Sequence, residues 1–242
     1  MELEQLVALR RDLHAHPELG YQETRTSDIV AQLLQEHGIE VHRGMGKTGV
    51  VGVLKCGTSA RIIGLRADMD ALPMQDNGTQ AWKSVHANVC HACGHDGHTV
   101  MLLGAAIQLA QQKDFDGTLV FIFQPAEEGL AGAKAMIEDG LFQQFPCDAV
   151  FALHNCPELP LGEVQTRPGA IMAAADRFDI TVKGGGGHAA PPHLTRDTPL
   201  ATSELVVQPY TLVARALDPR DPRLLMVPTL PGGAPSNQLP AA

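Results

Sequence analysis

The chain has 242 residues, which is enough for one large domain or two smaller ones. Its 44% hydrophobic content supports a packed core, and 27 acidic against 18 basic residues give a net charge of −9. The basic residues form no block and no apolar run reaches membrane-span length, so we expect neither nucleic acid nor membrane as a partner. The five cysteines, together with a start that lacks a basic and apolar signal, predict a protein of the reducing cytoplasm.

Hydrophobic periodicity predicts alternating helices and strands over the first 153 residues. The predicted elements are, in order, helices over 2–16 and 24–37, strands over 49–54 and 61–66, a helix from 99 to about 112, a strand over 118–123, a short helix over 132–140 and a strand over 149–153. Such alternation favours an α/β fold with an open, mostly parallel sheet flanked by helices.

Residues 90–98, CHACGHDGH, contain two thiols, three imidazoles and one carboxylate. Thiolate and imidazole are the ligands that zinc and similar divalent metals prefer. An apolar helical pattern follows, so the segment is predicted to be a loop that opens a helix, where the helix N-terminus favours anionic ligands. The alternative interpretation is a redox-inert loop with buried cysteines and surface histidines.

Polar residues also follow three of the predicted strands, at the point where each strand ends. They are Asp68 and Asp70, then Glu127 and Glu128, and then His154. Each group alone is compatible with a solvated turn or a structural histidine. Because parallel strands end at the same edge of a sheet, we expect these groups to converge there with Cys93 and His95. The set would hold one or two divalent ions.

The same residues predict a reaction class. A bound divalent ion lowers the pKa of water towards about 7, and a carboxylate such as Glu127 can then take its proton and pass it to a leaving amine. Asp68 or Asp70 would orient a ligand or the base. His188, on the glycine-rich loop 183–193, is a candidate donor to the developing oxyanion. That stretch predicts a phosphate cradle only weakly, since no Lys-Ser/Thr pair follows the glycines.

Composition changes after Pro157. The later predicted elements are strands over 162–165 and 173–182, a helix over 200–217 that Pro209 should kink or weaken, and a strand over 223–227. The region from about 167 onward is therefore interpreted as a small α+β module.

Six ordered motifs, RRDLHAHPELGYQE, RADMDALP, HACGHDGH, FQPAEEG, ALHNCPELPLG and GGGGHAAPPH, cover nearly the whole chain. They resemble the amidohydrolase branch of the metallo-aminoacylase and carboxypeptidase superfamily, which includes hippurate hydrolase, N-acyl-L-amino acid amidohydrolases, N-acetyl-diaminopimelate deacetylase and auxin-conjugate hydrolases. The resemblance implies a zinc-exopeptidase-like catalytic domain over 1–166 and an inserted lid or dimerisation domain over 167–242. It also implies a dimetal hydrolase of N-acyl amino acids that uses two Zn, Mn, Co or Ni ions and forms a homodimer.

The family pattern also implies individual roles. Glu127 resembles the general acid/base, Asp68 its partner acid, and His188 the lid histidine that reaches the substrate site of a neighbouring subunit. The implied metal ligands are Cys93, His95, Glu128 and His154.

The sequence departs from the family pattern at its C-terminal side, where family members continue and supply a last histidine ligand. Both domains are therefore expected to be incomplete. An alternative hypothesis is a truncated, weakly active or inactive homologue that keeps partial metal binding or subunit pairing. A thiol oxidoreductase built on Cys90 and Cys93 is a poorer fit. Such motifs are expected in a thioredoxin-like βαβ unit, and this function would leave the surrounding histidines and acids unexplained.

Overall fold

The computed structural model describes residues 1–172, 174–218, 223–233 and 238–240. The chain divides into two compact units, Met1–Leu161 and Gly162–Ala242, a few residues before the predicted boundary at 166. The elements of the first unit are α1 (Leu3–Ala15), α2 (Thr24–Glu36), β1 (Glu40–Met45), β2 (Gly49–Cys56), β3 (Ile62–Asp68), α3 (His95–Gln112), β4 (Gly117–Gln124), α4 (Gly132–Glu138), α5 (Leu141–Gln144) and β5 (Ala149–Ala152).

Five strands form an open sheet in the order β1-β2-β4-β3-β5. β3 pairs in parallel with β4 and β5, whereas β2 pairs antiparallel with β1 and β4. Four of these five strands therefore point the same way and β2 runs against them. The predicted α/β class is confirmed, with a mixed sheet. The carboxyl ends of β3, β4 and β5 lie at one edge of it.

Both faces of the central strand β4 are covered. Phe121 and Phe123 are fully buried against α2 and α3, and Val120 and Ile122 are buried on the other face against α4 and α5. Side chains alternate between the faces of a strand, so an unbroken apolar run can fill two cores at once. Each fully buried aromatic or branched side chain contributes roughly 1.5–3 kcal/mol through removal from water.

The edge strand β1 is an element that the sequence reasoning missed. Its exposed positions include Glu40 and Arg43, and its pairing with β2 shifts register between Arg43 and Met45. A polar, irregular strand is a common solution for a sheet edge, because charge and a bulge hinder pairing with another chain. Such a segment lacks the apolar alternation by which strands are recognised in a sequence.

The second unit contains β6 (Gly187–His188), a 3-10 helix (Pro192–Leu194), α6 (Thr198–Ala216) and β7 (Gln238–Leu239). The predicted strands at 162–165 and 223–227 are wrong, and so is the strand at 173–182 over its described residues 174–182, because no strand forms there. The helix prediction is confirmed, and α6 runs through Pro209. None of the described helices combines the length and apolar character needed to cross a bilayer.

Candidate metal centre

Four elements deliver the predicted site residues to one edge of the sheet. Asp68 ends β3, the Glu127–Glu128 pair follows β4, His95 begins α3, and His154 lies two residues beyond β5. Three groups of side chains have potential ligand atoms within 4.8 Å of one another. These groups are Cys93 with His95 and His154, His95 with Glu127 and Glu128, and Asp68 with His95 and His98.

His95 is common to all three groups and is completely buried. Its Nε2 lies 3.8 Å from Glu128 Oε1 and 3.9 Å from Glu127 Oε2. Cys93 Sγ lies 3.5 Å from His154 Nε2. The four residues that the family pattern implies as ligands therefore surround one small volume.

Two buried atoms of the candidate ligands, His95 Nε2 and Glu128 Oε1, have no hydrogen-bond partner among the described residues. A buried polar atom without a partner costs about 1–3 kcal/mol, so proteins rarely leave a facing pair of them. A divalent cation would satisfy the imidazole nitrogen and the carboxylate oxygen together. The nitrogen, oxygen and sulfur donors suit a borderline metal such as zinc. The residues present therefore fit a metal ion.

The electrostatics of the cluster also favour a cation. Burial and the adjacent Glu128 carboxylate raise the pKa of the Cys93 thiol to about 12. Burial raises the pKa of Glu128 as well. Burial would lower the pKa of His95, but its hydrogen bond with Asp70 and the nearby carboxylates raise it instead. A reactive redox thiol needs a lowered pKa, so this environment argues against the thiol oxidoreductase hypothesis.

The two glutamates differ in exposure. The Glu128 side chain is 24% exposed, whereas that of Glu127 is 43% exposed. The more buried carboxylate suits a metal ligand, and the more accessible one can reach water and substrate. The sequence-based assignment of Glu128 as ligand and Glu127 as base stays a prediction, and this difference in exposure is compatible with it.

Asp70 connects the ligand-bearing segments. Its Oδ1 accepts a hydrogen bond from the Glu127 backbone N–H at 3.0 Å, and its Oδ2 accepts one from the Glu128 N–H at 2.9 Å. Its Oδ1 also lies 3.3 Å from His95 Nδ1. When Nδ1 carries the hydrogen that faces Asp70, the lone pair of Nε2 points at the metal volume. Of the two aspartates in the sequence hypothesis, Asp70 is thus the one that contacts His95 and the backbone of Glu127 and Glu128.

A buried glutamate that the sequence reasoning missed holds the turn before Glu127. Glu23 is fully buried, and it accepts hydrogen bonds from the Ala126 N–H at 2.7 Å and the Thr48 hydroxyl at 2.6 Å. Ala126 has a left-handed backbone, with φ of 52°. Because Glu23 and Ala126 are 103 positions apart, the sequence offers little signal for this contact.

Asp68 makes its hydrogen bonds with Arg66 and His98, at 2.7 Å and 2.6 Å. Burial would raise the pKa of Asp68, but the bond from His98 and the Arg66 charge lower it to about 2. His98 was not assigned a role from the sequence, although it belongs to the dense segment 90–98. Its other ring nitrogen contacts Asn155, the residue after His154.

His188 lies in the second unit, on the short strand β6, with its side chain exposed. Its Nδ1 accepts a hydrogen bond from the Ala190 N–H at 3.0 Å. The imidazole therefore has one ring nitrogen tied to its own loop.

The family assignment comes from the sequence profile of Peptidase family M20/M25/M40, which matches residues 64–238. A hippurate hydrolase of Campylobacter jejuni is 49% identical over 232 residues, which span 96% of this chain and 60% of that relative. An N-acetyl-L-cysteine deacetylase of Bacillus subtilis is 41% identical over 237 residues, which span 98% of this chain and 56% of that relative. The chain thus spans about 60% of the length of the curated relatives it matches.

Solved structures agree with these relatives. A candidate aminohydrolase from methicillin-resistant Staphylococcus aureus has a TM-score of 0.79 and 32% identity, covering 98% of this chain and 63% of its own. A Bacillus subtilis protein described as a dinuclear metal-binding peptidase of the M20 family has a TM-score of 0.62 and 42% identity, covering 66% of this chain and 45% of its own. With the profile spanning more than two thirds of its residues, the chain belongs to Peptidase family M20/M25/M40.

Proposed function

We propose that this chain carries the metal site of an amidohydrolase that cleaves N-acyl amino acids. The observation that carries the proposal is the pair of buried, unpartnered atoms His95 Nε2 and Glu128 Oε1, which lie 3.8 Å apart beside the accessible Glu127. The named relatives, a hippurate hydrolase and an N-acetyl-L-cysteine deacetylase, suggest the substrate class.

In the proposed mechanism, the metal would be held by Cys93, His95, Glu128 and His154. When bound, a divalent ion polarises the amide carbonyl and makes water easier to deprotonate. Glu127 removes the proton from the attacking water and delivers it to the leaving amine nitrogen. Asp68 is the accompanying acid of the site. Zinc, manganese, cobalt and nickel all suit this mixed donor set, and the homologous fold suggests two ions in a complete site.

The second unit is proposed to act as a lid or dimerisation domain. In this proposal, the exposed imidazole of His188 donates a hydrogen bond to the developing oxyanion in the site of a neighbouring subunit. We place the protein in a reducing cytoplasm as a homodimer, and all five cysteines are unpaired.

The test is hydrolysis of a panel of N-acetyl and N-benzoyl amino acids by the purified chain with added Zn²⁺, Mn²⁺ or Co²⁺. We expect chelator-sensitive turnover that Glu127→Gln lowers by at least ~10²-fold, the usual contribution of general acid–base catalysis. Glu138→Gln is the matched control, because that glutamate is exposed on α4 and pairs with Lys134.

The alternative, an inactive homologue with partial metal binding, makes a different prediction for the same preparation. Metal that co-purifies stoichiometrically without turnover on the panel would support it. If Cys93→Ser combined with His95→Ala leaves metal content and turnover unchanged, the metal site itself is wrong under either hypothesis.

A further inference from the structure

A chain of polar side chains runs beside the predicted ligands without belonging to them. Arg66 Nη1 lies 2.7 Å from Asp68 Oδ2, and Asp68 Oδ1 lies 2.6 Å from His98 Nδ1. His98 Nε2 lies 3.0 Å from the backbone nitrogen of Asn155. Asp68 and His98 are 1% and 2% exposed, so the contact between these two side chains is shielded from water. These hydrogen-bonded side chains connect the end of β3 with the segment after β5 through the first turn of α3.

The contacts determine which nitrogen of His98 carries hydrogen. A backbone N–H can only donate, so Nε2 accepts from Asn155 and must present its lone pair there. Nδ1 then carries the hydrogen and donates to Asp68, which is a carboxylate and can only accept. The Asn155 side chain also lies against the Nε2 edge of the ring. Both nitrogens of His98 are therefore engaged and neither is free to bind a metal.

Asn155 is the residue that needs this support. It follows His154 directly, and β5 ends at Ala152, so residues 153–155 have no strand partner in the described part of the chain. His154 is exposed, its Nδ1 lies 2.7 Å from the adjacent Asn155 carbonyl oxygen, and its Nε2 lies 3.5 Å from the Cys93 thiol. The His98 and His154 rings lie 4.5 Å apart in an edge-to-face arrangement. The segment that carries His154 thus packs against the His98 ring.

Gly94 supports the same contact from the other side. A Cβ at this position would lie 2.5 Å from Asn155 Oδ1, and the backbone there has φ of 93°. The glycine lets the Asn155 side chain pack directly against the metal-binding loop between Cys93 and His95. The loop therefore holds Asn155 between Gly94 and the His98 ring.

We propose that Asp68 and His98 form a positioning pair that fixes Asn155 and thereby aims the His154 imidazole at the metal volume. In this inference Asp68, the accompanying acid of the proposed site, acts on His154 through its hydrogen bond with His98. It rests on the proposed function, in which His154 is a metal ligand, and it assigns to His98 and Asn155 a role in that site.

The first test needs no metal. Hydrogen exchange of the Asn155 amide is measured in the metal-free chain by NMR. We expect His98→Phe, which keeps a ring but removes both nitrogens, to speed exchange about tenfold, as loss of one hydrogen bond would. His91→Phe is the matched control, because His91 is also buried in this segment and neither of its ring nitrogens has a hydrogen-bond partner among the described residues. Equal exchange rates in the two variants overturn the proposal.

The second test measures Co²⁺ affinity through the thiolate-to-cobalt absorption that Cys93 would produce. We expect His98→Phe to weaken binding ~10–100-fold, the usual effect of residues that orient a ligand. If His98 acts through His154, then His98→Phe combined with His154→Ala binds no more weakly than His154→Ala alone. Additive losses overturn the proposal, because they mean that His98 contributes independently, for example as a ligand.

A conservative variant protects the test against simple misfolding. His98→Gln keeps one donor and one acceptor, so we expect it to recover part of the Asn155 protection and of the Co²⁺ affinity that His98→Phe loses. If His98→Gln recovers neither the Asn155 protection nor the Co²⁺ affinity, the proposed positioning by Asp68 and His98 is contradicted. If the wild-type chain binds no Co²⁺ through Cys93, the proposed metal site fails, and the exchange measurement alone still decides whether His98 holds Asn155.

Discussion

Replacing Asp70 by asparagine tests whether the site depends on one buried carboxylate that orients three partners. Asp70 takes the backbone N–H groups of Glu127 and Glu128 on separate oxygens and faces His95 Nδ1. Asparagine has the same shape but one acceptor oxygen, so one of the two N–H groups would face an NH₂ group instead. Hydrogen bonds to charged groups contribute about 1.5–3 kcal/mol.

We therefore expect Asp70→Asn to lower the free energy of unfolding of the metal-free chain by about 1.5–3 kcal/mol. Metal affinity should fall ~10–100-fold, because His95 and Glu128 lose the group that aims them. Urea denaturation measures the first effect, and competition with a chromogenic zinc chelator measures the second.

Asp116→Asn is the matched control for this change. Asp116 Oδ1 also accepts two backbone N–H groups, those of Thr58 and Ser59, but at the opposite end of β4 from the site. The control should leave metal affinity unchanged. If Asp70→Asn and Asp116→Asn give the same metal affinity, the proposed orienting role of Asp70 is refuted even when stability falls.

Three further changes probe other parts of the structure. Burial raises the pKa of Glu23, so its ionised form is disfavoured in the folded chain. The parent should therefore lose unfolding free energy as the pH rises from the ordinary glutamate pKa through the raised pKa, whereas Glu23→Gln should not. Urea denaturation of both proteins across that pH range measures the difference. Gly94→Ala places a Cβ 2.5 Å from Asn155 Oδ1 at positive φ, so we expect a loss of about 1–3 kcal/mol in unfolding free energy together with weaker metal binding in a chelator titration. Phe121→Ala leaves a cavity at a fully buried position and should lower the free energy of unfolding by about 3–5 kcal/mol in denaturant titrations, with little change in metal affinity per folded molecule. For any of the three variants, an unfolding free energy equal to that of the parent under all these conditions would contradict the packing described.

Local patterns were sufficient where one physical signal dominated. The run from Gly117 to Gln124 is apolar on both sides of the strand because both faces of the sheet are covered, and it was recognisable for that reason. The short β1 failed the same criterion, since its exposed edge carries charge. In the second unit, the segment 174–182 alternates apolar and polar residues towards its end, as a strand does, without forming one, because pairing depends on a partner that no local pattern describes.

The residue types of the site were also visible in the chain, because thiols, imidazoles and paired acids are rare at such density. Strand ends predicted which of them would meet, and the structure brings together Cys93, His95, Glu128 and His154. The supporting contacts were not predictable. Glu23 lies 103 positions from Ala126, and His98 lies 57 from Asn155, so nothing in their neighbourhoods indicates the pairing.

The sequence by itself determined the alternation of helices and strands, the family and the candidate ligands, since each depends on residue type, spacing or ordered motifs. Only the tertiary structure decided the strand order, the antiparallel pairing of β2 and the different hydrogen-bond partners of the two aspartates. Asp70 and Asp68 look equivalent in the motif RADMDALP, two positions apart on one strand end. Their roles separate because one carboxylate meets the backbone of the Glu127–Glu128 turn and the other meets His98, and those meetings are set by packing across the sheet.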